Sequence, residues 1–392
     1  MRSIILIPLL LVTSFNLFAQ SPDNDLSGLV TDSAAGNRPL SGVSIFLNNT
    51  SKGTVSLADG RFLLKAIPRS KYQLILSAIG YQTAVIDING DHLPASLKVA
   101  LRQKVTELEA FVVEPEDKHG WQNWGRTFVD NFIGTTENAQ SCTIRNTGTL
   151  HFYFYKKRNR LTVSATEPLV IENAALGYIL RYKLESFSMD FNAHVVVYSG
   201  YPYFQEMTTT KEGRRRRWEA RREKAYAGSM MHFMRSLYAD RLQQEKFIVK
   251  QRAQLPNAEK HRVQSRFRPD SLLSGAYSPD TLHYYLETLQ QPDFETRIID
   301  ATAGSLLVTF PDTSEIARDL ISSNAKPFSF DDSLAIRYPT WESESQLRLF
   351  NSHIFMVAEN GGYFPPGSVL VYGTWSRSEK VANLLPLDYG IH

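Results

Sequence analysis

Between Leu26 and Leu101 the chain runs through one short stretch of alternating apolar residues after another, and that period of two limits what it can fold into. Val43, Ile45 and Leu47 share one face of an extended segment; so do Phe62 and Leu64, then Tyr72, Leu74 and Leu76, then Ala84, Ile86 and Ile88, then Leu97, Val99 and Leu101. Alternate side chains on a strand project to the same side, so each run offers one face to a core and one to water. The breaks at Gly36-Asn37, Asn48-Asn49, Asp59-Gly60 and Asn89-Gly90 supply residues that tolerate positive φ. Short, regularly spaced strands separated by such turns predict a β-sandwich rather than a parallel sheet backed by helices. Within TVSLADGRFLL, Asp59 and Gly60 are expected to form a structural turn that leads Phe62 and Leu64 into the core.

Ahead of these runs, residues 1–20 read as a secretory signal peptide. Arg2 precedes an apolar run from Ile4 to Val12, and the small residue Ala19 stands before a polar exit. Thr13, Ser14 and Asn16 interrupt the run too early for a spanning helix, which needs about 20 apolar residues, and no later segment is long and apolar enough to serve. The reading divides the chain into a leader at 1–20, a sandwich at 21–113, a linker at 114–120 and a larger domain at 121–392. An exported chain with Cys142 as its sole cysteine has no internal disulfide, so burial must hold it together; 43% hydrophobic residues can fill the cores.

The segments LSGLVTD, PLSGVSIFL, KGTVSLADGRFLL and YQLILSAIGYQ resemble, in order, the carboxypeptidase regulatory-like domain of Bacteroidota envelope proteins. The matching positions include Gly28, Val30, Asp32, Gly42, Gly53, Asp59, Gly60, Phe62, Gly80 and Tyr81. The resemblance implies a seven-stranded sandwich of transthyretin or immunoglobulin-like type that serves as an accessory module without catalytic residues. In that family the module also precedes the barrels of outer-membrane nutrient transporters, and LEAFVV at Leu108–Val113 is similar to the strand that follows it there. Neither a peptidase nor a barrel is expected here. A zinc carboxypeptidase needs His and Glu three residues apart plus a distant His, and none of the nine histidines has Glu at the third position after it. A transport barrel would need more chain than remains. The nucleophile elbow, the P-loop and the dinucleotide glycine pattern are also missing.

Beyond Pro115–Lys118 the pattern changes. Trp121, Trp124, Phe128 and Phe132 form a stripe at helical spacing, which predicts a helix docked on a core. Long aromatic strands follow, from TLHFYFYKK to HVVVYSGYPYF, with a hairpin break at Lys157–Asn159. Tyr226, Met230, Phe233, Met234, Leu237 and Tyr238 predict one long helix near 218–247, and Gln251–Tyr277 reads as an extended loop. LHYYLETL, TRIIDA, SLLVTF, LAIRYP, HIFMVA and SVLVYGTW read as further strands. The expected fold is therefore mainly β with some α: the sandwich, then a larger β-rich α+β domain. KAYAGSMMHFMRSLYADRL and GYFPPGSVLVYGTWSRSEKVANLLPLDY resemble the uncharacterised region that follows such sandwiches in many Bacteroidota proteins, which implies no activity.

The formal charge of +3 is too small to suggest nucleic acid, but it is unevenly spread. Residues 211–224 hold eight basic and three acidic residues, a net +5, leaving the rest of the chain slightly acidic. Arg214, Arg215, Arg216, Arg217, Arg221, Arg222 and Lys224 read either as a solvated exposed surface or as a candidate patch for an anionic glycan, lipopolysaccharide phosphate or membrane surface. Arg214–Arg217 are expected in a preceding loop or frayed turn, since cations are unfavourable at a helix N-terminus. His232, inside an apolar stripe, reads as a core or boundary histidine, and Cys142 as a small buried hydrophobe. Glu342 and Glu344 beside Trp341 have a spacing that, on a strand, would put two carboxylates on one face.

These readings lead to an exported, non-catalytic cell-envelope protein, free of cofactor and metal, that binds or scaffolds a protein or glycan partner. Its expected location is the periplasm, the outer-membrane surface or the exterior. Two alternatives stay open: a hydrolase whose site lies in 121–392, and an outer-membrane-associated assembly factor that uses the basic segment.

Overall fold

The computed structural model describes residues 24–34, 36–104, 115–269, 277–309, 325–350 and 353–390. Residues 1–20, read above as a signal peptide, the LEAFVV segment and part of the 114–120 linker lie outside them. The molecule is mainly β, 39% strand and 24% helix, with an N-terminal sandwich followed by a larger β-rich α+β region.

The sandwich is built from β1 (Leu26–Asp32), β2 (Arg38–Pro39), β3 (Ser44–Leu47), β4 (Gly53–Val55), β5 (Arg61–Leu64), β6 (Lys71–Ser77), β7 (Ala84–Asn89) and β8 (Leu97–Leu101). One sheet joins β2, β1 and β5, with β8 pairing β1 in parallel; the other runs β4-β3-β6-β7 and is antiparallel throughout. Val43, Ile45, Leu47, Phe62, Leu64, Tyr72, Leu74 and Leu76 are all buried between them, as their alternation predicts.

Asp59-Gly60 makes the turn into β5. Asp59 Oδ1 accepts the Arg61 N–H at 3.0 Å, and Gly60 takes φ +75° with no room for a side chain, since a Cβ there would lie 2.5 Å from the Val30 carbonyl. Gly60→Val is expected to lower stability by about 1 to 3 kcal/mol, because a β-branched residue is forced both into left-handed backbone and against β1. Chemical denaturation checks this, and an unchanged midpoint would show that the turn can relax. The Asn89-Gly90 turn, by contrast, forms with neither residue at positive φ.

The larger region opens with α1 (Gly120–Phe132), which buries Phe128 and Phe132 on a sheet and leaves Trp121 at its edge. That sheet contains β9 (Cys142–Ile144), β10 (Leu150–Tyr155), β11 (Arg160–Ala165), β12 (Leu169–Asn173), β13 (Tyr178–Asp190) and β14 (Val195–Glu206). Its order is β10-β11-β13-β12-β9, with β14 along β13. Next come α2 (Glu212–Tyr226) and α3 (Met230–Tyr238). A second sheet has the order β16 (Phe294–Asp300), β15 (Ile248–Pro256), β18 (Ser333–Arg337), β19 (Ser345–Leu349) and β22 (Val369–Gly373), with α4 (Ala258–Arg266) and α5 (Pro279–Gln290) between β15 and β16 in the chain. After α6 (Ala303–Leu306), β17 (Ala325–Phe328), β20 (Phe355–Ala358) and β21 (Tyr363–Phe364) form a small third sheet. The short α7 (Thr374–Ser378) follows β22.

Several local expectations change. The helical stretch expected near 218–247 is two helices, broken at Ala227-Gly228-Ser229, where Ser229 caps α3 by accepting the His232 N–H at 3.1 Å. Arg214–Arg217 lie inside α2, not in a loop. Glu212 in the first turn pairs with Arg215 and Arg216, and buried Trp218 docks the helix, so packing and local pairing outweigh the dipole. The 251–277 stretch contains the end of β15 and all of α4. LHYYLETL is helical in α5: Ser278 caps it and Pro279 occupies the first turn, a start signal that outweighs its β-like composition. SLLVTF begins in α6, where Thr302 and Ser305 form a reciprocal capping box.

Candidate functional site

The sandwich is fastened to the larger region through the β3–β4 hairpin. Thr50 bridges Tyr203 of β14, where the Phe204 N–H donates to Thr50 O at 2.9 Å and the Asn49 N–H to Pro202 O at 2.8 Å. From the opposite side the C-terminal segment closes on the same hairpin: the Leu387 N–H donates to Asn49 O at 2.7 Å, and Asp388 accepts the Ser51 N–H and hydroxyl at 3.0 and 2.5 Å. Gly53 lies flat under the Tyr203 ring, where a Cβ would come within 2.6 Å of it. A residue of the sandwich motif therefore also serves the docking.

Beside this junction is a cleft with a cavity of about 280 Å³. Its sandwich wall is Asn48, Asn49, Lys71, Tyr72 and Gln73; the facing walls come from Tyr182, Gly200 and Pro202 of the first large sheet, Ser229–Met231 of α3, the Gly361–Gly367 turn and the segment from Glu379 to Leu387. The side-chain carbonyls of Asn48 and Asn49 are buried there without a hydrogen-bond partner. The Lys71 ammonium stands 5.1 Å from the centre of the Phe364 ring.

Glu379, just past α7, is the one carboxylate among the described residues that line the cleft. It is half-buried and lines the cavity, and burial pushes its pKa up to about 7. The Met230 N–H donates to it and only partly offsets that burial; among the described residues no cation pairs with it. The neighbouring Lys380 instead points its ammonium over the Tyr198 ring, 5.4 Å from the centroid. Tyr182, Tyr198 and Tyr363 surround this wall, each held above the ordinary phenol range by burial.

The basic residues singled out from the sequence share α2 but not one role. Arg222 is built into the fold: its guanidinium lies 3.9 Å from the Tyr178 ring centre, donates to the Leu176 and Gly177 carbonyls and pairs with Glu206. Arg221 and Lys224 share Glu137, and Arg215 and Arg216 share Glu212. Arg214 and Arg217 have no ion pair among the described residues and line a groove beside Trp218. Arg222→Ala is accordingly expected to lose about 1 to 3 kcal/mol of stability, through lost packing and carbonyls left without a donor. Arg214→Ser with Arg217→Ser should stay within about 0.5 kcal/mol. Equal losses in thermal unfolding would show that the division is wrong.

The other candidates separate. His232 is buried against Phe247 and Tyr338; its Nδ1 accepts the Gly228 N–H at 3.1 Å, which leaves Nε2–H to donate to Glu245, and burial lowers its pKa. Glu342 and Glu344 precede β19 rather than lying on it, so the shared strand face does not exist; both are exposed, and Glu344 faces Arg337 at 3.9 Å. The Cys142 thiol is pushed up to about 12 by burial. Among the described residues there is no cluster of three or more His, Cys, Asp or Glu that could hold a metal, and no helix is long and apolar enough to cross a membrane. Sequence reasoning missed Glu379 and the cleft, since SRSEKVANLL carries no local signal of an enclosed carboxyl.

No curated protein matches the chain. Among solved structures it is similar to a type II cohesin–X-dockerin complex from Acetivibrio cellulolyticus, at 18% identity over 19% of this chain and 51% of that one, with TM-score 0.16. The Bacillus anthracis TIE protein matches at 13% identity over 47% of this chain and 31% of that one, with TM-score 0.17. A protein of unknown function from Bacteroides fragilis matches at 10% identity over 85% of this chain and 92% of that one, with TM-score 0.16. The chain thus spans about half of the first and about a third of the second, and similarities this low carry no argument about fold or function. The family comparison is specific: residues 26–113 match the CarboxypepD_reg-like domain, and the described residues among them form a β-sandwich docked on a larger β-rich region.

Proposed function

We infer that this is an exported, non-catalytic binding protein of the cell envelope, whose ligand occupies the cleft between the sandwich and the larger region. Export rests on the leader-like residues 1–20. The observation that carries the binding reading is the make-up of the cleft: both parts of the chain supply its walls, which combine aromatic and aliphatic surface with the polar residues Asn48, Asn49, Gln73 and Asn383. Pockets that hold small ligands have this composition, apolar with a few placed polar groups. The sandwich then acts as one wall of the site as well as an accessory module.

A hydrolase is the second reading, because a carboxyl titrating near neutrality suits a general acid. Glycoside hydrolysis uses two carboxylates, and Glu379 has no second one beside it among the cleft-lining described residues, so binding is favoured. Contact with an anionic envelope surface would fall to Arg214 and Arg217, which make no ion pair among the described residues and share their groove with Glu172, itself paired with Arg145; added salt and their replacement by serine should weaken such contact alike.

The test is thermal unfolding of the mature chain with a panel of neutral sugars, amino sugars, amino acids and short peptides. The same panel is run on Gln73→Trp, whose side chain would fill the cleft from the outer face of β6. At least one class should stabilise the wild type and not the filled variant. Stabilisation of neither protein, or of both equally, would overturn the reading.

A further inference from the structure

We propose that the cleft is a site for a small molecule carrying a primary ammonium group, of amino-sugar or amino-acid size, with Glu379 as its anchor. This rests on the binding reading above and names the ligand class of the same site. A carboxylate at the inner wall of a cavity is unfavourable unless a cation or several donors reach it. Here one backbone N–H, from Met230, does so, and the adjacent Lys380 is turned away over Tyr198. An incoming ammonium would supply the missing charge. The tyrosines around that wall, Tyr182 and Tyr363 among them, present ring surface on which a cation is held more favourably than on aliphatic surface. Lys71, on the sandwich wall, offers a donor to an acceptor on the rest of the ligand, a hydroxyl or a carboxylate, which amino sugars and amino acids both have.

The proposal makes binding proton-linked. An ammonium requires Glu379 ionised, so binding strengthens as pH rises through the range in which that carboxyl titrates. Of the other titratable groups around it, burial moves Tyr182, Tyr198 and Tyr363 upward, away from that range, and lowers Lys380, whose ammonium is turned over Tyr198; Lys71 stands on the opposite, sandwich wall.

Calorimetric titration with glucosamine, N-acetylglucosamine, alanine and N-acetylalanine tests it. Each acetylated partner keeps the skeleton and removes the ammonium charge, and the two pairs separate an amino-sugar ligand from an amino-acid one. The expected result is binding of at least one ammonium-bearing compound, about tenfold weaker at about pH 5.5 than at about pH 7.5, with its acetylated partner much weaker at both. Glu379→Gln should abolish the pH dependence and weaken binding by about tenfold. Acetylated compounds that bind as well as their amines, without pH dependence and blocked by Gln73→Trp, would overturn the ammonium assignment and leave the binding reading standing. No binding by any of the four would overturn the assignment as well.

Discussion

Replacing Glu379 with glutamine is expected to stabilise the protein by about 2 kcal/mol at pH 8 and to change little near pH 4. The carboxyl titrates at about 7 in the folded chain against an ordinary 4.5. The folded state therefore binds a proton that the unfolded state has released over that interval, and stability falls as pH rises through it. Below the interval both states are protonated and the group contributes nothing; above it the full penalty applies. A shift of this size corresponds to about 3 kcal/mol, and the surface that Glu379 keeps toward the cavity reduces it. Chemical denaturation of wild type and variant across pH reads the difference directly. Parallel stability curves would mean that the carboxyl is solvated after all. A residue that lowers stability at the pH where its charge is needed is the pattern of a group kept for binding.

Trp375→Ala should produce the largest destabilisation of any single truncation, about 3 to 5 kcal/mol. Trp375 is fully buried in α7, against Phe233 and Trp341 at centroid distances of 5.4 and 5.5 Å. Its indole N–H donates to the Gly228 carbonyl at 2.9 Å, at the break between α2 and α3, and its own N–H reaches Ser345 Oγ at 3.1 Å. The truncation leaves both a cavity and a buried carbonyl without its donor. Trp375→Phe restores most of the volume but not the hydrogen bond, so it should recover more than half of the loss. If the two variants unfold alike, the hydrogen bond rather than packing holds α7 in place.

The sandwich was legible because its information is local. Alternation within runs such as Tyr72, Leu74 and Leu76 places each strand's buried face, and Asp59-Gly60 supplies a turn that few other pairs would. The helices of the larger region were harder, since short apolar runs suit either strand or helix until an end signal is weighed. In α5 that signal is Ser278-Pro279, and it decides for helix over the strand-like tyrosines and leucines that follow. In α2 the arginines argued for a loop, while Trp218 and Glu212 decided for a helix.

By itself, the sequence determined the mainly β class, the sandwich at its start and the domain family of residues 26–113, because periodicity and turn chemistry act between near neighbours. It also marked the basic segment, though not which arginines stay uncommitted: Arg222 is absorbed by Tyr178 and the Gly177 carbonyl, whereas Arg214 and Arg217 are left facing a groove. Only the tertiary structure decided the cleft. Its walls run from Asn48 to Leu387, and they meet because the β3–β4 hairpin is gripped by β14 on one side and by the C-terminal segment on the other. The shift in Glu379 arises from that enclosure, since the energy of a charge depends on what surrounds it in space and not on its neighbours along the chain.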